Sequence, residues 1–172
     1  MAGKKGIAEA FGAFAVAASL VFVGLQLYLD RKVALADQYF NRGESAKADR
    51  RTRLESESYL RHLEESWALG WRPFYWNEDW AVSKQIESGQ RSVRAVMANV
   101  LSLRLDIIGY DSLYYQYRHG LLPEESWARL RSSLKTRMQE DEFARHVFQA
   151  FARSNIRPVM EEIVTEIEND RL

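Results

Sequence analysis

The sequence predicts an all-α protein, with one N-terminal transmembrane helix followed by a small helical bundle. Three observations carry this prediction. Glycine and proline are scarce, at 9 and 3 of 172 residues, while the good helix formers Ala, Leu, Arg and Glu recur throughout. The stretch "FGAFAVAASLVFVGLQLYL", Phe11 to Leu29, holds no charged residue. Beyond it, apolar residues return at helical spacing between Gly, Pro and Ser punctuation.

The uncharged run extends back to Ala10, and to Ile7 if Glu9 sits at an interface. A helix from Ile7 to Leu29 is roughly 35 Å long at about 1.5 Å per residue, enough for a hydrocarbon layer of about 30 Å. Leu20, Val21, Phe22, Val23 and Leu25 cover every helical face, whereas a core helix shows an apolar stripe. Lys4, Lys5 and the small-residue run Ala34-Leu35-Ala36 resemble parts of an export signal. The apolar run exceeds the roughly 7–15 residues of a signal core, however, and Arg31 and Lys32 interrupt the approach to the cleavage motif. A retained single span is therefore expected over residues 1–30. Its small residues Ala8, Gly12, Ala15 and Ser19 share one helical face, the pattern by which spans pack on copies of themselves or on other membrane proteins. Lys4, Lys5 and the amino terminus precede the span and Arg31, Lys32 and Arg42 follow it, with Lys47, Arg50, Arg51 and Arg53 beyond; this larger basic excess leans the soluble domain to the cytoplasmic side of a bacterial inner membrane.

Residues 31–69 read as a long helical stalk or hairpin. A break or kink is expected at "NRGES", Asn41 to Ser45, because Gly43 stands between polar neighbours and Ser45 is a suitable cap. The charged helix that follows carries a thin seam of Leu54, Leu60, Leu63 and Trp67, and Gly70 is placed to end it. Residues 70–172 read as a bundle domain. Asn77 is a candidate N-cap for a short helix towards Glu87. A helix is predicted from Arg91 to His119 with Val93, Val96, Met97, Val100, Leu101, Ile107 and Ile108 inward, and Gly120 ends it. Pro123 with Glu124 and Glu125 opens the next, and two further helices fit 140–154 and 158–169.

Chemistry is harder to find. Lys plus Arg and Asp plus Glu balance at 24 each, so no net charge argues for nucleic acid. The absence of cysteine excludes disulfides, thiolate metal sites and a thiol nucleophile. His62, His119 and His146 follow Tyr59, Gln116 and Phe143 at three residues' distance, so the Glu-x-x-His pairs of a di-iron bundle are missing. No nucleophile elbow, phosphate loop or zinc-protease motif occurs. The adjacent carboxylates Glu64-Glu65, Glu124-Glu125 and Glu161-Glu162 diverge by about 100° on a helix and read as solvated faces. No catalytic residue, metal ligand or cofactor is expected. The run "KADRRTR" suits anionic head groups, but Asp49, Glu55 and Glu57 interleave with it, and pairing along a solvated face is the plainer use.

The segment "GWRPFYWNEDW" is the most aromatic of the chain. Trp67, Trp71, Arg72, Phe74, Tyr75, Trp76 and Trp80 are the candidate partner or membrane-interface surface, with packing into the bundle as the plain alternative. Two stretches, "IAEAFGAFAVAASLVFVGLQLYL" and "YYQYRHGLLPEESW", resemble an uncharacterised bacterial family of single-span membrane proteins with a small C-terminal helical domain. Its counterparts here are Ala8, Glu9 and Gly12, then Ser19 and Leu20, then Tyr115, Gln116, Tyr117, Arg118, Gly120 and Leu121. The polar Arg-x-Asn-Thr that often follows the span is replaced by "YLDRK". The resemblance implies architecture and no activity.

The function expected is a membrane-anchored, non-enzymatic interaction protein. It is an accessory or scaffold subunit of a bacterial inner-membrane complex, or a homo-oligomer packed through its span. Its partners are membrane lipid and other membrane subunits or copies of itself. The alternative is a membrane-tethered sensory or small-ligand module, with Trp71, Phe74, Trp76, Tyr114 and Tyr117 lining an apolar pocket.

Overall fold

The computed structural model describes the backbone of residues 2–170 and the side chains of residues 12–170. Among these residues the fold is entirely helical: α1 (Ala2–Glu55), α2 (Glu57–Ala68), α3 (Ala81–Glu87), α4 (Val93–Arg118), α5 (Glu124–Glu140), α6 (Glu142–Phe151) and α7 (Arg157–Asn169). The chain divides into two units, Met1–Gln38 and Tyr39–Leu172, and α1 contributes to both.

Within the first unit, α1 is long and apolar enough to cross a membrane by length and composition. None of its most apolar window is buried inside the molecule, and Phe14, Leu20, Val21, Phe22 and Leu25 are all exposed. Ser19 Oγ donates to the Ala15 carbonyl at 2.8 Å, satisfying its hydroxyl within the helix. Gly12 and Gly24 have nothing within 4 Å of where a Cβ would stand. Ala8, the fourth member of the expected packing face, lies outside the residues whose side chains are described.

In the second unit α4 is the central element and packs against α2, α5 and α6, while α7 closes on α5 and α6. The main core joins Leu103 and Ile107 of α4 to Leu134 and Met138 of α5, Val147 and Phe148 of α6, and Met160, Ile163 and Ile167 of α7. Each such side chain contributes about 1.5–3 kcal/mol by leaving water, so this seam holds the four helices together. A smaller cluster of Val82, Val96 and Met97 sits beneath Leu63, Trp67, Trp76 and Trp80.

The helix ends follow local chemistry. Gly70 and Gly120 adopt φ of +88° and +72°, and each completes a pair of backbone bonds that closes the preceding helix. Gly70 N donates to Trp67 O and Trp71 N to Ser66 O; Gly120 N donates to Tyr117 O and Leu121 N to Gln116 O, all at 2.9 Å. Ser92 Oγ accepts from Ala95 N to begin α4.

Two local expectations are corrected. The break expected at Asn41–Ser45 is absent, because α1 runs unbroken to Glu55. The chain turns instead at Ser56, whose hydroxyl accepts from Tyr59 N at 3.2 Å and caps α2. Asn77 does not cap a helix: its Oδ1 accepts from Asp79 N at 2.9 Å in a local turn, and α3 begins only at Ala81.

Gly43 serves close approach, not a kink. A Cβ there would stand 2.8 Å from Ser112 Oγ and 3.5 Å from Ile108 Cγ2. One turn earlier, Tyr39 stacks on Tyr115 with ring centroids 4.1 Å apart and planes 4° from parallel. Its hydroxyl donates to Asp111 Oδ2 at 2.5 Å, beside the Arg153 guanidinium 3.6 Å away. The residues of α1 from Tyr39 onward are thereby fastened along α4 by stacking, a buried carboxylate and a glycine notch.

Candidate functional site

The aromatic segment after α2 is sorted by the fold into two populations. Trp67, Trp76 and Trp80 pack edge-to-face over the smaller core, with centroids 4.7 Å and 5.7 Å apart. Trp80 also stacks on His146 at 4.8 Å. Tyr75 is half-buried against Phe151 at 4.8 Å, and burial pushes its phenol up to about 12. By contrast Leu69 is 88% exposed, Phe74 86% and Trp71 45%, so three large apolar side chains stand in solvent around one loop. Arg72 pins that loop: its guanidinium lies 3.9 Å over the Trp67 ring, and Nη1 donates to the carbonyls of Trp67 and Trp71 at 2.9 Å each.

Beside the loop is a cavity of about 540 Å³. Tyr59 and Leu63 of α2 form one wall, and Trp71, Phe74 and Tyr75 of the loop form another. Met97, Leu101 and Arg104 of α4 and Phe151 of α6 complete it. Its size and aromatic lining are those of a small-molecule site. Of the five aromatic residues expected to line a pocket, Trp71 and Phe74 do so. Trp76 belongs to the smaller core, and Tyr114 and Tyr117 pack on Trp127 at 4.9 Å and 5.5 Å.

Arg104 is the polar group of this cavity that sequence reasoning missed. Its guanidinium carbon lies 4.3 Å over the Phe151 ring, and its Nε is buried without a hydrogen-bond partner. Burial lowers its proton affinity. A signal existed in the sequence: Met97, Leu101, Arg104 and Ile108 fall at i, i+4, i+7 and i+11, so a guanidinium interrupts an apolar stripe. Arg50 of α1 is likewise lowered by burial, then by Arg104 and Arg153, and its Nε is also buried and unpartnered. This part of the body therefore holds two half-buried guanidinium groups whose Nε atoms have no hydrogen-bond partner. Asp111 answers Arg153, and Asp49 answers Arg53 at 3.1 Å.

Among the described residues no group of three His, Asp or Glu side chains is arranged to hold a metal ion. His146 Nε2 faces Glu142 Oε1 at 3.7 Å, a same-helix pair, and Arg145 Nη2 shares that oxygen at 3.4 Å. No family model, curated protein or solved structure matches the chain.

Proposed function

We propose that this chain is a single-pass protein of a bacterial inner membrane, acting by binding and not by catalysis. It serves as an accessory or scaffold subunit of a larger membrane assembly or as a homo-oligomer, with its helical body on the cytoplasmic side. The span associates through the face of Ala8, Gly12, Ala15 and Ser19, and the body meets its partner through the loop after α2. The observation that carries this reading is the exposure of Leu69, Trp71 and Phe74 on a loop held in place by Arg72. Apolar groups of this size left in water mark contact surfaces, and Trp and Arg are frequent anchors of interfaces. The resemblance to bacterial single-span proteins supports the placement. Native mass measurement after gentle solubilisation tests it. A complex or oligomer that dissociates when Leu69 and Phe74 are both changed to Ser is expected; a lone monomer at every detergent concentration defeats the reading.

A second reading, a membrane-tethered module for a small apolar ligand, is favoured by the cavity beside that same loop.

A further inference from the structure

Resting on the ligand-binding reading, we infer that the cavity between α2, α4 and the 71–75 loop takes a single-chain amphiphile with an anionic head, carboxylate or phosphate, the head meeting Arg104. The argument begins with charge. The lining contains two guanidinium groups, Arg72 and Arg104, and no carboxylate. Arg72 is occupied by two carbonyls and an indole face. Arg104 forms no ion pair among the described residues, and its buried Nε donates to nothing. A half-buried cation with a shielded, unpaired Nε is disfavoured, and part of that cost is recovered when an anion arrives with lone pairs for the open donors. Nearby charge only partly answers it: Asp49 favours the Arg104 cation but is itself bonded to Arg53 at 3.1 Å, and Arg53 works against it.

The rest of the cavity fixes the other end of the ligand. Leu63, Met97, Leu101 and Phe151 offer hydrocarbon contact, and Trp71 and Phe74 stand exposed at the same loop. The Tyr75 hydroxyl is turned to Met97 Sδ at 4.0 Å and the phenol is held neutral by burial. A small inorganic anion would leave these walls wet, while a neutral hydrocarbon would leave Arg104 unanswered. An acyl chain with a charged head satisfies both. A volume of about 540 Å³ lies within the range of sites for molecules of this size.

The test uses the full chain in nanodiscs of phosphatidylcholine. All five tryptophans lie between Trp67 and Trp127, so quenching by a brominated chain reports the body and not the span. The probes are dibromostearate, dibromostearyl phosphate and dibromostearyl alcohol. Saturable quenching by the carboxylate or the phosphate, with a midpoint about tenfold or more below that of the alcohol, is expected from a charge-assisted bond. Whichever anion quenches at the lower concentration identifies the head group. Arg104→Gln should erase the preference over the alcohol, and Arg104→Lys should retain part of it. If Arg104→Gln does not fold, the comparison of probes on the unmodified chain decides alone. Equal midpoints for anions and alcohol overturn the inference and leave the ligand-binding reading standing. Absence of saturable quenching by all three overturns both.

Discussion

At the scale of single residues, Gly43 shows how much one missing methyl group can determine. Glycine inside a helix costs about 1 kcal/mol against alanine, so its presence in the middle of α1 calls for a reason, and the Ser112 hydroxyl supplies one. Gly43→Val should therefore destabilise the body by about 1–3 kcal/mol in a denaturant titration, the usual cost of overpacking. Gly43→Ala made together with Ser112→Ala should instead gain up to about 1 kcal/mol, because helix propensity then acts without the steric opposition. A cycle in which the two changes are simply additive would contradict the close approach. Tyr39 and Tyr75 make a second prediction. Burial first, and for Tyr39 the bond to Asp111 next, raise both phenols from 10.0 to about 12. A raised phenol favours the protonated folded state, so the stabilisation is fully present below pH 10 and is lost as pH climbs from about 10 to about 12. Urea midpoints measured across that window should fall for the natural chain, and the fall should be shallower when both residues are Phe.

Between helices, the strip joining α5 to α7 is the most charged contact of the body. Arg131 engages Glu162 at 3.1 Å and also Glu166, while Lys135 spans Glu166 and Asp170 at 3.1 Å and 3.0 Å. The Arg131 bond, followed by that of Lys135, holds the Glu166 carboxyl below its ordinary value of 4.5. A lowered carboxyl stabilises above the ordinary value and loses that contribution as pH falls through the folded one. Arg131→Met keeps the apolar stem while removing the charge, so its thermal midpoint should depend less on pH below about 4.5 than that of the natural chain. Molar salt should narrow the difference. Helix boundaries also show which features a single sequence can declare. Gly70 and Gly120 end helices through bonds to their own last turn, so every participant lies within a few residues and the motif is readable locally. Gly43 carries the same letter in a similarly polar setting, but its partner Ser112 is far along the chain. Local reading therefore placed there a kink that the structure lacks. The turn at Ser56 is equally plain in hindsight, a hydroxyl at N-cap ahead of Glu57, but nothing in "RLESESYL" ranks Ser56 above its neighbours. Arg104 stood in view on an apolar stripe; that it forms no ion pair among the described residues depends on residues from four elements and on nothing adjacent to it.

For the molecule as a whole, the absence of cysteine makes the membrane placement directly testable. A thiol introduced at exposed Ser88 becomes the protein's sole label site. Full-length chain should remain with membranes through an alkaline wash. An impermeant maleimide should reach Ser88→Cys only after the inner membrane is opened, as a cytoplasmic body requires. Labelling in intact spheroplasts would reverse the orientation, and release by the wash would remove the membrane assignment. The interlocked indoles of Trp67, Trp76 and Trp80 have a practical consequence of their own. Rings held at fixed angles this close couple their electronic transitions, so the near-ultraviolet dichroism should carry a signature that depends on tertiary packing and not on helix content. Because this cluster sits over the smaller core, its signal and the far-ultraviolet helix signal can be followed during a single melt. Any lag between them would measure how independently the roof over Val82, Val96 and Met97 comes apart from the rest of the body.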